Sequence, residues 1–232
     1  AMIKAFDEQH DAFLTHGWGM TEMSPLGTLN TPTKKTMSLP KEERYQLQTK
    51  QGYPLFGVEI KTVDDQNNEL PRDGEASGTL KVKGPWIIQK YYKADGPAVD
   101  EEGWFDTGDV ATIHPDGCMQ IVDRAKDVIK TGGEWISSID LENAVLTHDN
   151  VLEACVVGVP HPKWDERPLL FLITKDGNEI DKQEINDFLL EKVVKWWLPD
   201  DIIFVKELPH GATGKLLKVE LREKYKEHLM GD

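Results

Sequence analysis

Four short segments gather glycine, carboxylate and cationic side chains in a chain that is otherwise acidic. In GWGMTE (17–22), glycines allow close approach of a ligand to the backbone, Thr21 offers a hydroxyl, and Glu22 is a carboxylate suited to magnesium. The bland alternative is a glycine-rich loop over a strand end. In GWFDTGD (103–109) a turn presents Asp109 near the edge of a β region, where a carboxylate could accept the paired hydroxyls of a ribose. An aspartate that caps its own turn is the competing explanation. In DRAKDVIKTGGEW (123–135) the cations Arg124, Lys126 and Lys130 are mixed with Val128 and Ile129. On one extended strand, Arg124, Lys126, Val128 and Lys130 would share a face. Gly132-Gly133 then permits a tight turn or a slim ligand, and an exposed basic hairpin is the alternative. In LPHGATGKLLK (208–218), Lys215 follows a flexible loop and opens the last helix, where a mobile ammonium could reach a phosphate or simply remain in solvent.

The bulk composition narrows the partners. The chain has 232 residues, 39% hydrophobic and 29% charged, with a net charge of −14. Long-range attraction to nucleic acid or anionic lipid is therefore disfavoured, and any phosphate must be gripped by local cations and amides. No apolar run nears the ~18 residues of a membrane span. The N-terminus, AMIKAFDEQH, has no secretion-signal pattern. It reads as a start inside an element, so a fragment of a longer chain is expected. Cys118 and Cys155 are far apart in the sequence and form no C-x-x-C pair, so a disulfide framework or zinc site has no support and a reducing, cytoplasmic setting fits best.

These segments need elements to carry them. Ile3, Phe6, His10 and Phe13 predict a helix over 1–14, and a loop follows through HGWGMTEMSPLGTL. SLPKEERYQLQTKQ predicts a helix over 38–51, with Ser38 as cap and Pro40 near the first turn. FGVEIKTV, GTLKVKG, WIIQKYY and CMQIV predict short antiparallel strands separated by turns, EEGWFDTGD among them. Beyond residue 123, SSIDLENAVLTHD, EINDFLLEKVVKWW and KLLKVELREKYKEHL predict helices, the last with Leu216, Val219 and Tyr225 inward. ACVVGV, LLFLIT and IFVKEL predict buried strands. The expected fold class is α+β. Residues 1–123 would be the remnant of a larger domain with an antiparallel β-barrel-like part at about 53–122, and 124–232 a small α+β domain.

The order of the four segments resembles the motifs of the adenylate-forming enzymes: acyl-CoA synthetases, luciferases and adenylation domains. GGEWISSIDLEN and VVGVPHPKWDERPLLFLI are most similar to the medium- and long-chain fatty-acid CoA ligase branch. The resemblance implies ATP/AMP, magnesium and coenzyme A as cofactors or co-substrates. It implies a fatty acid as the acid, the missing N-terminal part of the same enzyme as a partner, and admits a homodimer. Gly17 and Trp18 would line the adenine side of the nucleotide, with His16 and Gly19 as neighbouring contacts. Thr21 would meet the phosphate and Glu22 the magnesium, both in a catalytic capacity with Lys215, the lysine of the adenylation step. Asp109 and Arg124 would take the ribose, and Lys130 and Trp135 would touch nucleotide. Lys126 would be a nucleotide contact and the hinge of a mobile C-terminal AMP-binding domain. Gly132, Gly133 and Glu134 would border the CoA channel. Relatives often have tyrosine where this chain has Trp18, and acetate-type enzymes have arginine where it has Trp135, which argues against a short-chain acetate ligase. The phosphate-cradling loop of such enzymes would lie upstream of residue 1, so the 232 residues alone should not turn over. A carrier-protein acceptor, or a non-catalytic nucleotide-binding module, are the alternatives.

Overall fold

Two adjoining strand segments of the second half, ACVVGV and LLFLIT, are apolar at every position but the last, Thr174, because both faces of their sheet are covered. In the computed structural model, which describes residues 2–175, 180–212 and 214–231, the chain forms two compact units, Ala1–Ala125 and Lys126–Asp232. Thr213, inside the final loop motif, falls outside the described residues.

The first unit begins with helix α1 (Met2–His10), shorter than the periodicity predicts, and β1 (Gly17–Trp18). A 3-10 turn at Thr21–Met23 and β2 (Thr28–Leu29) follow, so the expected loop is partly ordered. Helix α2 (Lys34–Met37) is capped by Thr33, whose hydroxyl accepts the Thr36 N–H. Ser38 closes α2 rather than opening the next helix. Helix α3 (Lys41–Gln48) starts after Pro40 and carries Glu42 and Glu43 in its first turn, where the helix dipole favours anions. β1 and β2 form a small sheet with β3 (Tyr53–Pro54).

The larger sheet of this unit has the antiparallel order β4 (Glu59–Val63), β5 (Gly78–Lys83), β6 (Phe105–Ile113), β7 (Met119–Arg124). That order is open, so the barrel-like part expected at 53–122 is an open four-stranded sheet. β6 runs through GWFDTGD, which the sequence presents as a turn. Conversely WIIQKYY is a series of turns: Ile87 is buried, while Tyr92 is fully out in solvent. The core joins Ile60, Leu80, Val82, Phe105, Ala111, Ile113 and Met119, with Met23 reaching in from the 3-10 turn.

In the second unit, β8 (Ile129–Thr131) and β9 (Glu134–Ile136) make a hairpin, followed by α4 (Ser138–Val145), whose first turn is capped by the Ser137 hydroxyl. β10 (Val151–His161) and β11 (Asp165–Thr174) form the long central hairpin. After α5 (Lys182–Leu190), β12 (Asp201–Phe204) pairs parallel to β11, and α6 (Lys218–Tyr225) ends the fold. Alternation separates two cores. Ala154, Val156, Leu170 and Leu172 face α4 and α5, with Ile185 and Leu189 packed on them. Cys155, Val157, Leu169 and Phe171 face α6, with Leu221 and Tyr225. Each buried Val, Leu, Ile or Phe among them contributes about 1.5–3 kcal/mol by leaving water. Val219, predicted inward together with Leu216, is exposed: α6 begins at Lys218, so Leu216 stands in the loop before it and shares no helical face with Val219, and Leu221 takes the buried position.

Candidate functional site

Asp109 owes its position to a defect in β6. Opposite the stretch Thr79–Lys81 of β5, β6 places Asp106 to Val110, so the register shifts and the extra residues bulge. Gly108 takes a left-handed φ of 69° in this bulge, which favours glycine. Thr107 stitches it: its hydroxyl donates to the Leu80 carbonyl at 2.8 Å and accepts the Asp109 N–H at 3.1 Å. The result aims the Asp109 carboxylate at Trp18 and Arg124. Trp18 Nε1 donates to Asp109 Oδ2 at 2.9 Å. Arg124 is directly opposite Asp109 in the β6–β7 register, with Nε 3.4 Å from Oδ1.

Trp18 in turn lies against Gly27, where a Cβ would sit 2.7 Å from the indole. Gly19 answers to the chain itself: a Cβ there would come within 2.0 Å of the Pro25 carbonyl oxygen. Both glycines are therefore required by the way this segment folds back on itself. His16 Nδ1 donates to the Thr49 carbonyl at 2.8 Å, which ties β1 to the end of α3. Thr21 and Glu22 sit on the 3-10 turn, where Thr21 is exposed and Glu22 Oε1 accepts the Tyr91 hydroxyl at 2.9 Å.

Asp109 is the electrostatic centre of this cluster. Its side chain is only 9% exposed, and burial pushes its pKa above the ordinary carboxylate value. The Trp18 hydrogen bond and the Arg124 charge work in the opposite direction without cancelling burial. The fold thus holds a carboxylate whose burial outweighs the partners it has, a condition typical of ligand sites. Trp18→Phe keeps the ring and removes the Nε1 donor, so the Asp109 pKa rises further. Carbon-13 NMR titration of the carboxyl group checks this, and a fall in pKa would contradict it.

The second unit carries the remaining candidates. The strand expected to present Arg124, Lys126, Val128 and Lys130 on one face does not exist. β7 ends at Arg124, a turn follows, Val128 is buried, and Lys126 and Lys130 are exposed. Lys130 instead faces Trp135 across the β8–β9 hairpin. Gly132 and Gly133, with φ of 57° and 88°, form its two-residue turn between Thr131 and the exposed Glu134, the left-handed pair that such hairpins need. Gly132 N–H donates to the Trp164 carbonyl at 2.9 Å, joining this turn to the tip of the β10–β11 hairpin.

Lys215 does not open α6. It lies in the loop before it, exposed, with its carbonyl accepting the Gly211 N–H at 2.8 Å and its neighbour Leu216 bridged to His210. The main chain of the loop is pinned while the ammonium faces solvent. Sequence reasoning missed Thr107, the residue that fixes the bulge; a threonine between two acidic residues in GWFDTGD was its visible trace. It also missed Tyr91, whose segment read as a strand. Among the described residues no cluster of three or more His, Cys, Asp or Glu side chains could hold a metal, and no helix is long and apolar enough to cross a membrane.

Comparison with known proteins follows the same division. The family model described as AMP-binding enzyme matches residues 1–92, and that described as AMP-binding enzyme C-terminal domain matches residues 140–215. A 3-methylmercaptopropionyl-CoA ligase of Ruegeria lacuscaerulensis is 49% identical over 231 residues, covering 100% of this chain and 43% of that protein. A medium-chain-fatty-acid–CoA ligase of Ectopseudomonas oleovorans is 45% identical, covering 99% of this chain and 42% of that protein. The crystal structure of ATP-bound MatB from Rhodopseudomonas palustris matches with a TM-score of 0.83 at 27% identity, over 98% of this chain and 43% of that one. The chain thus spans less than half the length of these relatives.

Proposed function

Because the chain belongs to the AMP-binding, adenylate-forming enzymes, we propose that it carries the nucleotide-handling part of an ATP-dependent acyl-CoA ligase for fatty or comparably apolar acids. The observation that carries this reading is the triad of Trp18, Asp109 and Arg124 around a buried carboxylate. Each carboxylate oxygen has two lone pairs, so Asp109 keeps acceptor capacity for a ribose diol after Trp18 and Arg124 are counted. The half-buried Trp18 indole offers adenine an aromatic surface for stacking. The relatives described as 3-methylmercaptopropionyl-CoA and medium-chain fatty-acid CoA ligases support the acyl class.

The chemistry is two displacements. A carboxylate oxygen attacks the α-phosphorus of ATP and pyrophosphate leaves, giving an acyl-adenylate. The CoA sulfur then attacks the acyl carbon, its proton is lost, and AMP leaves. The first step sets an anion against a polyanion, and Lys215 supplies the compact positive charge that offsets this repulsion. Thr21 donates its hydroxyl to a phosphate oxygen. Glu22, held by Tyr91, offers one carboxylate to magnesium, which suits an ion that takes most of its ligands from phosphate and water. Magnesium would neutralise charge on the phosphates. Gly132-Gly133 and Glu134 border the path of CoA, with Lys130 and Trp135 as nucleotide contacts and Lys126 as the turning point of the second unit. Two buried, unpaired cysteines fit a cytoplasmic setting.

The test joins this chain behind the N-terminal part of the medium-chain relative and follows pyrophosphate release and thiol loss. The expected result is ATP- and carboxylate-dependent pyrophosphate release, followed by CoA consumption, with apolar acids preferred to acetate. Thiol loss only with an acyl-carrier protein would replace CoA as acceptor. Binding of AMP without pyrophosphate release would leave a nucleotide-binding module instead of a ligase.

A further inference from the structure

Helix α6 makes two ionic attachments from positions four apart on one face. Lys218 Nζ donates to Ser138 Oγ and to Glu142 Oε1, both at 2.7 Å, which anchors α6 to α4. Arg222 reaches the other way. It donates to the carbonyl of Lys126 and forms an ion pair with Asp127. Those are the first two residues of the second compact unit. Asp127 is 11% exposed and Arg222 27%, and Arg222 Nε is buried with no hydrogen-bond partner among the described residues. The pair is thus held away from bulk solvent, where a bidentate guanidinium contact is stronger and more directional than a surface ion pair.

The same helix is fixed to the sheet by Leu221 and by Tyr225, whose ring meets Phe171 at 4.9 Å. Immediately before it runs the loop that carries Lys215. α6 therefore connects the Lys215 loop mechanically to residues 126 and 127. We propose that Arg222 is a positioning residue: by clamping Lys126 and Asp127 to α6 it confines the pivot of the second unit to the bonds before Asp127. Lys215 and the start of the unit then move as one body. Without the clamp, the next firm anchor along the chain is the buried pair Val128 and Ile129, so slack enters between the pivot and Lys215. The inference rests on the ligase reading for its kinetic consequence, but not for its mechanical one.

Hydrogen exchange on the 232-residue chain supplies the mechanical test. Arg222→Ala should speed exchange at the Asp127 and Val128 amides by about tenfold or more. Leu221→Ala, which loosens α6 without touching the clamp, should not single out those amides. Arg222→Lys should behave like Arg222→Ala, because one ammonium does not reproduce the fork that serves a carbonyl and a carboxylate together. If Arg222→Ala does not fold, Asp127→Asn provides the same reading with the fork retained and the ion pair removed. Unchanged local exchange in these variants, or the same local change in Leu221→Ala, overturns the clamp. In the completed enzyme, Arg222→Ala should also change the ratio of thioester formation to adenylate formation by about fivefold or more, whereas Leu221→Ala lowers both together. An unchanged ratio removes the kinetic role. Absence of pyrophosphate release from the completed wild-type enzyme counts against the ligase reading, and the exchange result still decides the clamp.

Discussion

Lys215→Ala in the completed enzyme lowers the rate of acyl-adenylate formation by about 10²–10³-fold, the range found when a preorganised donor to a developing anion is removed. The reason is the charge balance of the first displacement, where a carboxylate must approach the α-phosphorus of an anionic triphosphate. The loop that carries Lys215 is suited to such a task. Its backbone is pinned at Gly211 and His210, so the entropy of positioning falls mainly on the side chain itself. Thioester formation from preformed acyl-adenylate should change by less than about threefold, because no carboxylate then approaches a polyphosphate. Rapid-quench measurement of pyrophosphate, with thiol release from added acyl-adenylate, separates the two steps. Equal loss in both would falsify the role assigned to Lys215.

Asp109→Asn should weaken AMP binding by about ten- to a hundredfold, because hydrogen bonds to a charged acceptor are each worth about 1.5–3 kcal/mol. It should also make the ligand-free protein more stable at neutral pH. Burial holds the Asp109 pKa above its unfolded value, so the fold favours the protonated form. The stabilising contribution of that proton is complete below the unfolded pKa and is lost as pH rises through the folded pKa. As pH rises the fold loses that contribution, and asparagine, which does not titrate, escapes the loss; as the solution is acidified its advantage shrinks. Urea unfolding at pH 7 and pH 4, with AMP titrations read by tryptophan fluorescence, gives both quantities. A variant that loses affinity and stability together at pH 7 would make Asp109 a structural residue rather than a binding residue kept at some cost to the fold.

Much of the second unit is legible in its amino acids. β10 and β11 are buried on both faces, so their apolar residues run unbroken and survive any error in register. The Gly132-Gly133 turn is equally plain, since two left-handed residues in succession admit few alternatives. β6 is hidden because its first half, FDTGD, has the composition of a turn; its bulge needs a glycine and a threonine that periodicity counts against a strand. WIIQKYY errs the other way: its apolar residues do not alternate between a core and solvent, and Ile87 alone among them is fully buried. The inward face of α6 is misread because Leu216 stands before the helix, so its spacing to Val219 says nothing of facing; Leu221 and Tyr225, four apart within the helix, take the inward face.

By itself the sequence determined the order of the motifs and the chemical kinds they contain: a carboxylate, an indole, an arginine and a lysine preceded by glycine. Tertiary structure decided which of these meet. Trp18 and Asp109 are 91 residues apart in the chain, and Arg222 and Asp127 are 95 apart. Whether a side chain is a free surface charge or a strained, partner-hungry group depends on the water and dipoles around it, and those are supplied by distant segments. Residue type is local; desolvation and pairing belong to the folded whole.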